Sequence, residues 1–453
     1  MRTLSFLSGL TLAICAGGAG TLRAGEPLTL AAALARALEH NPDLAVDAPM
    51  REAAESSVSA NKAAYLPRID FEQSYTGGNN PVYVFGTLLT QRRFTVGNFA
   101  LPSLNDPDAI DNLQTRFAAQ GTIWDFGRTK QHVTGARLGL EATDRTHDDH
   151  VRQVLLATLD AYLSVSLSRE ALAAARSARE SAESIVSQAQ ARVQAGLAVE
   201  ADLLRGQVHL ASARRGEIEA AGQLEMARSR LNRLMGAALD APQGETTALE
   251  PASLHVAAEE ALRGEQVKLR PDYQRLLSEL RQAELEVRSS QAEYLPSIGA
   301  FAAWEMDNPS LQSYGGNNWI AGMSLRWNIF AGGGDSARVH AARQRLEAKK
   351  RQVSAMESAM SLEVHNAIVQ FRSAEQQVEA ARAAEAQSEE GLRILKNRYE
   401  AGLATMTDLL SAESQRAAAR TLFSEAIYRH RLSYAQIEYA AGTLSATSTG
   451  MNP

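Results

Sequence analysis

Few residues in this chain invite a chemical reading. His147-Asp148-Asp149-His150 sets two imidazoles three residues apart, a spacing that on a helix puts both on one face, as metal ligands require. No further ligand converges on them in the sequence, so a solvated helix face accounts for the pair better than a metal centre. Ala331-Gly332-Gly333-Gly334-Asp335 is glycine-rich like a phosphate cradle. It lacks the Lys-Ser/Thr of a nucleotide loop and reads as a strand-to-helix turn. The single cysteine, Cys15, lies in an apolar N-terminal run, where Ile14 is bulkier than the small residue that normally precedes an acylated cysteine. Neither a nucleophile motif nor a zinc spacing is present. The expectation is a protein that is not an enzyme and holds no metal or cofactor, so attention moves to the elements that place its other side chains.

Bulk properties narrow the class. The chain has 453 residues, 45% hydrophobic but only 6% aromatic, and its abundant alanine suits long helices packed through small side chains. The net charge of −6 argues against nucleic acid or acidic lipid as the main partner. Arg2, the apolar run 4–16 and small residues at 19–24 form an export signal assigned to 1–24. That run is too short to span a bilayer as a helix, and no later stretch reaches the required roughly 20 apolar residues.

The chain is written twice. Asn41-Pro42-Asp43 recurs as Arg270-Pro271-Asp272 and Tyr65-Leu66-Pro67 as Tyr294-Leu295-Pro296, both displaced by 229 positions (270 − 41 and 294 − 65). Ala195-Gly196-Leu197-Ala198 with Asp202-Leu203-Leu204 recurs as Ala401-Gly402-Leu403-Ala404 with Asp408-Leu409-Leu410, displaced by 206 (401 − 195). The 23-residue difference places an insertion in the first copy, within 77–112, which reads as a long Gly-, Asn- and Pro-rich loop. Each copy then runs helix, strand, loop, strand, long helix, break, long helix. The divisions are 25–236 for the first repeat, 237–266 for an equatorial connector, 267–444 for the second repeat and 445–453 for a flexible tail. Segments 127–195 and 334–401 carry no proline and keep a helical apolar spacing, which predicts helices about 100 Å long. Helices of that length must lie side by side in an extended bundle or tube. Alanine seams such as Ala171, Ala174, Ala175, Ala178 and Ala182 let their backbones approach closely.

Four segments instead alternate with a period of two: 68–76, 116–124, 298–306 and 319–329. Ile69, Phe71 and Tyr75 oppose Arg68, Asp70 and Glu72, and Trp319, Ala321, Met323 and Leu325 oppose Gly322, Ser324 and Arg326. This is the pattern of a barrel strand facing lipid outside and water inside. Phe301 is the exception, an aromatic on the otherwise small-residue face. All four tryptophans, Trp124, Trp304, Trp319 and Trp327, fall in these segments, as an interfacial aromatic girdle would place them. Four strands cannot close in lipid, where the smallest single-chain barrel has about eight, so several copies must pool strands. Edge counting alone permits a dimer, trimer or tetramer.

The ordered set of motifs resembles the TolC family of outer-membrane efflux proteins over nearly the whole mature chain. It rests on 28–42 opening the first helix, Tyr-Leu-Pro before each copy's first strand, Trp124-Asp125-Phe126-Gly127 and Ile329-Phe330-Ala331-Gly332-Gly333. The most specific elements are Arg192-Val193-Gln194-Ala195-Gly196-Leu197 and Arg398-Tyr399-Glu400-Ala401-Gly402-Leu403, each followed by Asp-Leu-Leu. The resemblance implies a fold of long antiparallel helices forming a periplasmic α-barrel, with four strands per subunit contributing to a trimeric twelve-stranded outer-membrane β-barrel. It implies a homotrimer set in outer-membrane lipid, reaching a periplasmic adaptor protein and, through it, an inner-membrane transporter of the RND, ABC or MFS class. The implied adaptor-docking tips are Ala195, Gly196, Leu197, Ala401, Gly402 and Leu403. The implied gate comprises Asp202, Asp408 and Tyr399. The arginine expected to complete it is replaced by Ala404, and Ser411 stands where a second aspartate is expected, leaving Arg398 or Arg192 as substitutes. A plainer role for Asp202 and Asp408, capping the returning helices, is compatible with a pore role.

Function therefore reads as a passive exit duct of a tripartite efflux or type I secretion system, gated at its periplasmic tip. The alternative is an exported periplasmic coiled-coil protein without a pore. Cargo is open among drugs, metal ions and polypeptides. The absence of histidine or methionine enrichment leans against a dedicated metal channel. The 77–112 loop, with Tyr83, Phe85, Phe94 and Phe99, is expected to face outward and partly cover the exit.

Overall fold

The computed structural model describes residues 27–250 and 267–448. The export signal with Cys15, residues 251–266 of the connector and the end of the tail lie outside the described residues. Two helices of 67 residues, α5 (Arg128–Gln194) and α8 (Gly334–Glu400), are the long members of the architecture. At 1.5 Å per residue each extends about 100 Å. Each returns through a shorter helix, α6 (Glu200–Leu234) after α5 and α9 (Met406–Ala441) after α8. The other half of each long helix is lined by α2 (Asp47–Ala63) and α7 (Pro271–Ala292), while α1 (Leu30–His40) packs at mid-length. Helix α9 also packs on α5, so the two hairpins form one continuous wall. Among the described residues no helix is long and apolar enough to cross a membrane.

The four strands are β1 (Arg68–Gly78), β2 (Ile110–Trp124), β3 (Ser297–Asn308) and β4 (Gly316–Arg326), in one antiparallel sheet of order β1-β2-β3-β4. The register settles which residues share a face. Phe71 lies opposite Phe117, Phe117 opposite Trp304 and Trp304 opposite Trp319, a row of four aromatics across the whole sheet. Ring centroids in that row are 5.1 Å (Phe71–Phe117) and 6.0 Å (Phe117–Trp304) apart. The other face carries Arg68, Asp70, Glu72, Arg116, Glu305, Asp307 and Arg326. Alternation alone would put Trp124 on that polar face. A bulge at Ile123 shifts the register so that Trp124 pairs with Ile298 and joins the apolar side. The span from Leu113 to Trp124 is then about 35 Å along the strand, or roughly 27 Å of depth at a 40° tilt, close to an outer-membrane apolar band.

Two expectations are corrected here. The last strand ends at Arg326, so Trp327, Asn328 and Ile329 belong to the exit toward α8, and Trp327 Nε1 donates to the Tyr294 carbonyl at 3.0 Å. The 77–112 segment is not an open loop: its two ends complete β1 and begin β2, and between them lie α3 (Pro81–Thr90) and α4 (Leu101–Asn105). Asn80 caps α3 by accepting from Val82 and Tyr83 amides, and Pro81 supplies a preset first turn. Phe94 packs between Phe85 and Phe99, with centroids 4.9 and 5.1 Å away, which gives the insertion a small core of its own. Apolar clusters too small to show a periodicity hid these helices from the sequence reading.

The principal core sits at the midpoint of the helices. Leu30, Leu34, Leu155, Leu159, Tyr162 and Leu231 are fully or nearly fully buried there. Tyr162 donates its hydroxyl to the Leu28 carbonyl (2.8 Å) and accepts from the Thr247 amide (2.9 Å), so the N-terminal segment and the connector are pinned on α5 together. The repeat is visible in how the returning helices end. Asn41 donates to the carbonyl of Leu234, the last residue of α6, at 2.9 Å. Arg270, the matching residue of the second copy, donates to Ala440 at the end of α9, also at 2.9 Å. Leu234 and Ala440 are themselves related by the 206-residue displacement. Burial opposes the charge of Arg270, but hydrogen bonds to Asp272 (2.8 Å) and Glu363 (2.7 Å) outweigh it and raise the guanidinium's pKa. Replacing Arg270 by Met leaves the Asp272 carboxylate and a helix end without their partner and is expected to cost about 3–5 kcal/mol. Asn41→Ala removes an uncharged buried cap and is expected to cost about 1–3 kcal/mol. Thermal unfolding followed by circular dichroism ranks the two, and an equal loss would contradict the charged cap.

Candidate functional site

The two helical hairpin turns lie together at the end of the wall away from the sheet. Both close in the same way. Gly196 (φ 70°) and Gly402 (φ 75°) occupy the left-handed region. Leu197 N donates to Arg192 O and Leu403 N to Arg398 O, each at 2.8 Å, and the glycine amides donate to Val193 O and Tyr399 O at 3.0 Å. This double bond pattern ends a helix where the following residue must take positive φ, and glycine does so without the penalty of a Cβ. Ala195 and Ala401 are the last caps, and Leu197 and Leu403 project outward, 78% and 70% exposed. The tip therefore carries two exposed leucines, one from each hairpin turn.

The structure brings some of the anticipated gate residues together and separates others. Arg192 lies over the Tyr399 ring, 4.8 Å from its centroid, and donates to the carbonyls of Tyr399 (3.0 Å) and Glu400 (2.7 Å). It thereby caps the end of α8 from α5, combining a cation–π contact with favourable placement of a cation at a helix C-terminus. Tyr399 is 5% exposed, packed with Ile185, Ala189, Met406 and Leu409. It therefore joins the two hairpins of one protomer. Its counterpart in the first copy is Val193, which explains why Arg192 finds an aromatic partner and Arg398 does not. Arg398 is exposed, and its charge acts on Asp408.

The two aspartates differ. Asp408 forms a reciprocal cap with Thr405, accepting from its amide (3.0 Å) and hydroxyl (2.7 Å) while Thr405 Oγ1 accepts from the Asp408 amide (3.2 Å). The Thr405 hydroxyl and amide hold the Asp408 carboxyl below the usual carboxylate range, with Arg398 adding to the effect. Asp202 makes no such cap: its carboxylate pairs with Arg205 at 3.2 Å, one turn along its own helix, because Val199 rather than a hydroxyl residue precedes α6. The plain capping role thus holds for Asp408 and not for Asp202. A further link across the wall, Ser181 Oγ to Glu413 at 2.5 Å, had no signal in the sequence.

At the opposite end, α3 lies on the polar face of the sheet. Gln91, 1% exposed, donates to Asn112 Oδ1 (2.9 Å), and Asn112 donates to Asp307 (2.7 Å). Arg92 crosses the sheet to the Asn317 carbonyl (2.9 Å), and Asn318 donates to Thr90 O (3.3 Å). The insertion therefore reaches from β1 to β4 over the side that alternation assigns to water. The His147 and His150 pair keeps the solvated helix face expected, with side chains 50% and 42% exposed. Both Nδ1 atoms bond the carboxylate of Asp47, at 3.0 and 2.9 Å, and tie α5 to α2.

Two long-helix repeats carrying a four-stranded sheet with one apolar and one charged face define a subunit of an outer-membrane channel that continues as helices into the periplasm. Residues 33–237 and 262–443 match the outer membrane efflux protein family, and the chain belongs to that family. Over 424 residues it is 25% identical to the alkaline protease secretion protein AprF of Pseudomonas aeruginosa, covering 90% of this chain and 83% of that one. The Campylobacter jejuni CmeC outer membrane channel has the same fold at 19% identity, with a TM-score of 0.80 over 93% of this chain and 87% of its own. The open-state Neisseria gonorrhoeae MtrE outer membrane channel superposes with a TM-score of 0.74 at 19% identity, covering 92% and 91%. Family members are channels rather than enzymes.

Space around Gly196 and Gly402 is open, so an added methyl would meet no neighbour and only the backbone would resist. Gly196→Ala and Gly402→Ala are expected to cost about 1 kcal/mol each at the tip. Faster hydrogen exchange at the turn amides checks this, and unchanged exchange would contradict the left-handed turn.

Proposed function

We propose that three copies of the chain close into one passive duct, gated at the helical tips and joined there by a periplasmic adaptor to an inner-membrane pump. One observation carries this reading: the sheet presents an apolar face to lipid while β1 and β4 both end in bare edges. Three copies supply twelve strands, an even number within the range of closed membrane barrels. The helical wall is unfinished in the same sense, since α6 exposes Leu204, Val208 and Ile218 and α8 exposes Leu362, Val369 and Ile394. Ring closure would cover such residues. The aromatic row and the group Trp124, Phe126 and Trp327 then lie toward opposite borders of the apolar band, where amphipathic rings are favoured.

At the tips, Arg192 takes the place of the arginine missing at Ala404 by holding Tyr399 from the other hairpin. The ring of three Asp202 and three Asp408 carboxylates favours cations. Leu197 and Leu403 give the adaptor its apolar docking points. A pump of the RND, ABC or MFS class supplies the energy, since the duct itself makes no bonds. The likeness to a protease secretion protein across 90% of the chain supports a polypeptide cargo. The α3 insertion, lying on the water-facing side at the outer end, forms a lid over the exit.

Mass determination of the purified protein with single-channel recording tests this reading. A trimer with small, cation-preferring currents is expected, rising several-fold in Arg192→Ala or Tyr399→Ala. A monomer that neither partitions into membranes nor conducts would instead support an exported coiled-coil protein. Replacing 80–107 by a short Gly-Ser linker tests the lid. Larger outer-side access and current are expected, and no change in either would remove the lid from the account.

A further inference from the structure

The inner end of the sheet's water-facing side carries a second charged feature, distinct from the tips. From the helix-proximal end upward, the cross-strand rows on this face read Ser297 with Arg326, then Thr122, Gly299 and Ser324, then Arg68, Gln120, Phe301 and Gly322. No carboxylate occurs in these three rows. The acids Asp70, Glu72, Glu305 and Asp307 all lie in rows further out. The Arg326 guanidinium has no hydrogen-bond or ion-pair partner among the described residues, and Arg68 engages one nitrogen with Asp70 at 2.7 Å, leaving its terminal nitrogens open. The carboxylates nearest in sequence are already engaged: Asp125 accepts from the Gly127 and Thr129 amides, and Glu293 pairs with Arg338 at 2.7 Å.

Phe301 is the anomaly that gives this region its shape. It is the lone aromatic on the polar face of the four strands, 41% exposed. It lies across Gly322, where an added Cβ would stand 2.9 Å from its ring tip, so only glycine opposite lets the ring lie flat. Arg68, Gln120, Thr122, Phe301, Ser324 and Arg326 line one cavity floored by Gly121, Gly299 and Ala300. An aromatic exposed to water beside two under-paired guanidiniums, over a floor of small residues, suits a carboxylate with an apolar neighbour.

We propose that this cavity is an anion-binding collar for transiting cargo, recognising acidic peptide segments in which an apolar side chain adjoins a carboxylate. This rests on the duct reading, in which three copies would bring six guanidiniums to the inner end of the barrel. A test by binding separates the two ideas, because it needs no conductance. The full-length protein in neutral maltoside detergent is titrated calorimetrically with a short peptide of alternating Phe and Glu. Its Phe-Gln and Phe-Lys counterparts, an Ala-Glu peptide and phenylpropionate are titrated in parallel. The Phe-Glu peptide is expected to bind, with affinity falling about tenfold or more in Arg326→Gln and Arg68→Gln, as loss of a charge-assisted bond implies. Arg326→Lys should retain most of the binding, and Phe301→Ser should erase the preference for Phe-Glu over Ala-Glu. Equal binding of the Phe-Gln or Phe-Lys peptide to the unaltered protein would overturn the collar, whatever the variants do. Equal affinity for phenylpropionate and the peptide would assign the site to small organic acids and overturn the peptide reading.

Discussion

The two bare edges of β1 and β4 set the terms for the whole molecule. Each edge is a row of backbone donors and acceptors that water can satisfy and lipid cannot, at several kcal/mol for every group left unpaired. The sheet's outer face, with Ile69, Phe71, Trp319, Met323 and Leu325 exposed, is equally unsuited to water. A single subunit is therefore suited to neither solvent at this end, and in the proposed ring the neighbouring copies would cover both edges. The helices inherit the consequence. They are continuous with the strands through short turns, so whatever symmetry closes the sheet also fixes how the helical walls meet.

The duplication meets that demand with two near-equivalent units whose differences fall where they do different work. Tyr162 and Ile368 occupy equivalent midpoints of the two long helices, and both anchor buried clusters. In the first copy the anchor is polar, because Tyr162 must also hold the N-terminal segment and the connector. The helix-end caps diverge similarly. Asn41 suffices for α6, whereas Arg270 serves α9 alongside Arg152, which stacks on Tyr439 at 4.7 Å and donates to its carbonyl. Two buried cations at one helix terminus are favoured by the helix dipole and by Asp272, and disfavoured by each other.

Much of this was legible from sequence because strand alternation and long proline-free helices are strong periodic signals. Four strands, their polar and apolar faces, both hairpin turns and the duplication follow from residues such as Phe71, Trp319, Gly196 and Gly402. What escaped has a common cause, which is dependence on contacts far apart in the chain. The bulge at Ile123 that turns Trp124 outward reflects the partner strand, not local pattern. The seat of Arg192 on Tyr399 spans 207 positions, and the Asp47 carboxylate that joins His147 and His150 lies about 100 positions away. The α3 helix was missed because proline and glycine around it resemble a loop, while its stability comes from Asn80, Gln91 and the sheet beneath.

The arrangement at the tips also bears on how such an end can open. Tyr399 is buried within its own protomer and clamped by Arg192, so the ends of α5 and α8 are tied to each other before any neighbouring copy is considered. Parting them would expose Ile185, Met406 and Leu409 and strip a guanidinium of two carbonyls, a change costing several kcal/mol. In the proposed duct this tie between the two hairpins is what holds the tip closed. With Ala404 offering no charged hold on a neighbour, the remaining resistance would fall to the apolar seams. In such a ring, mutual repulsion of like carboxylates would work toward the open arrangement. A tip built in this way owes its stiffness to contacts within one subunit, above all to the clamp that Arg192 makes on Tyr399.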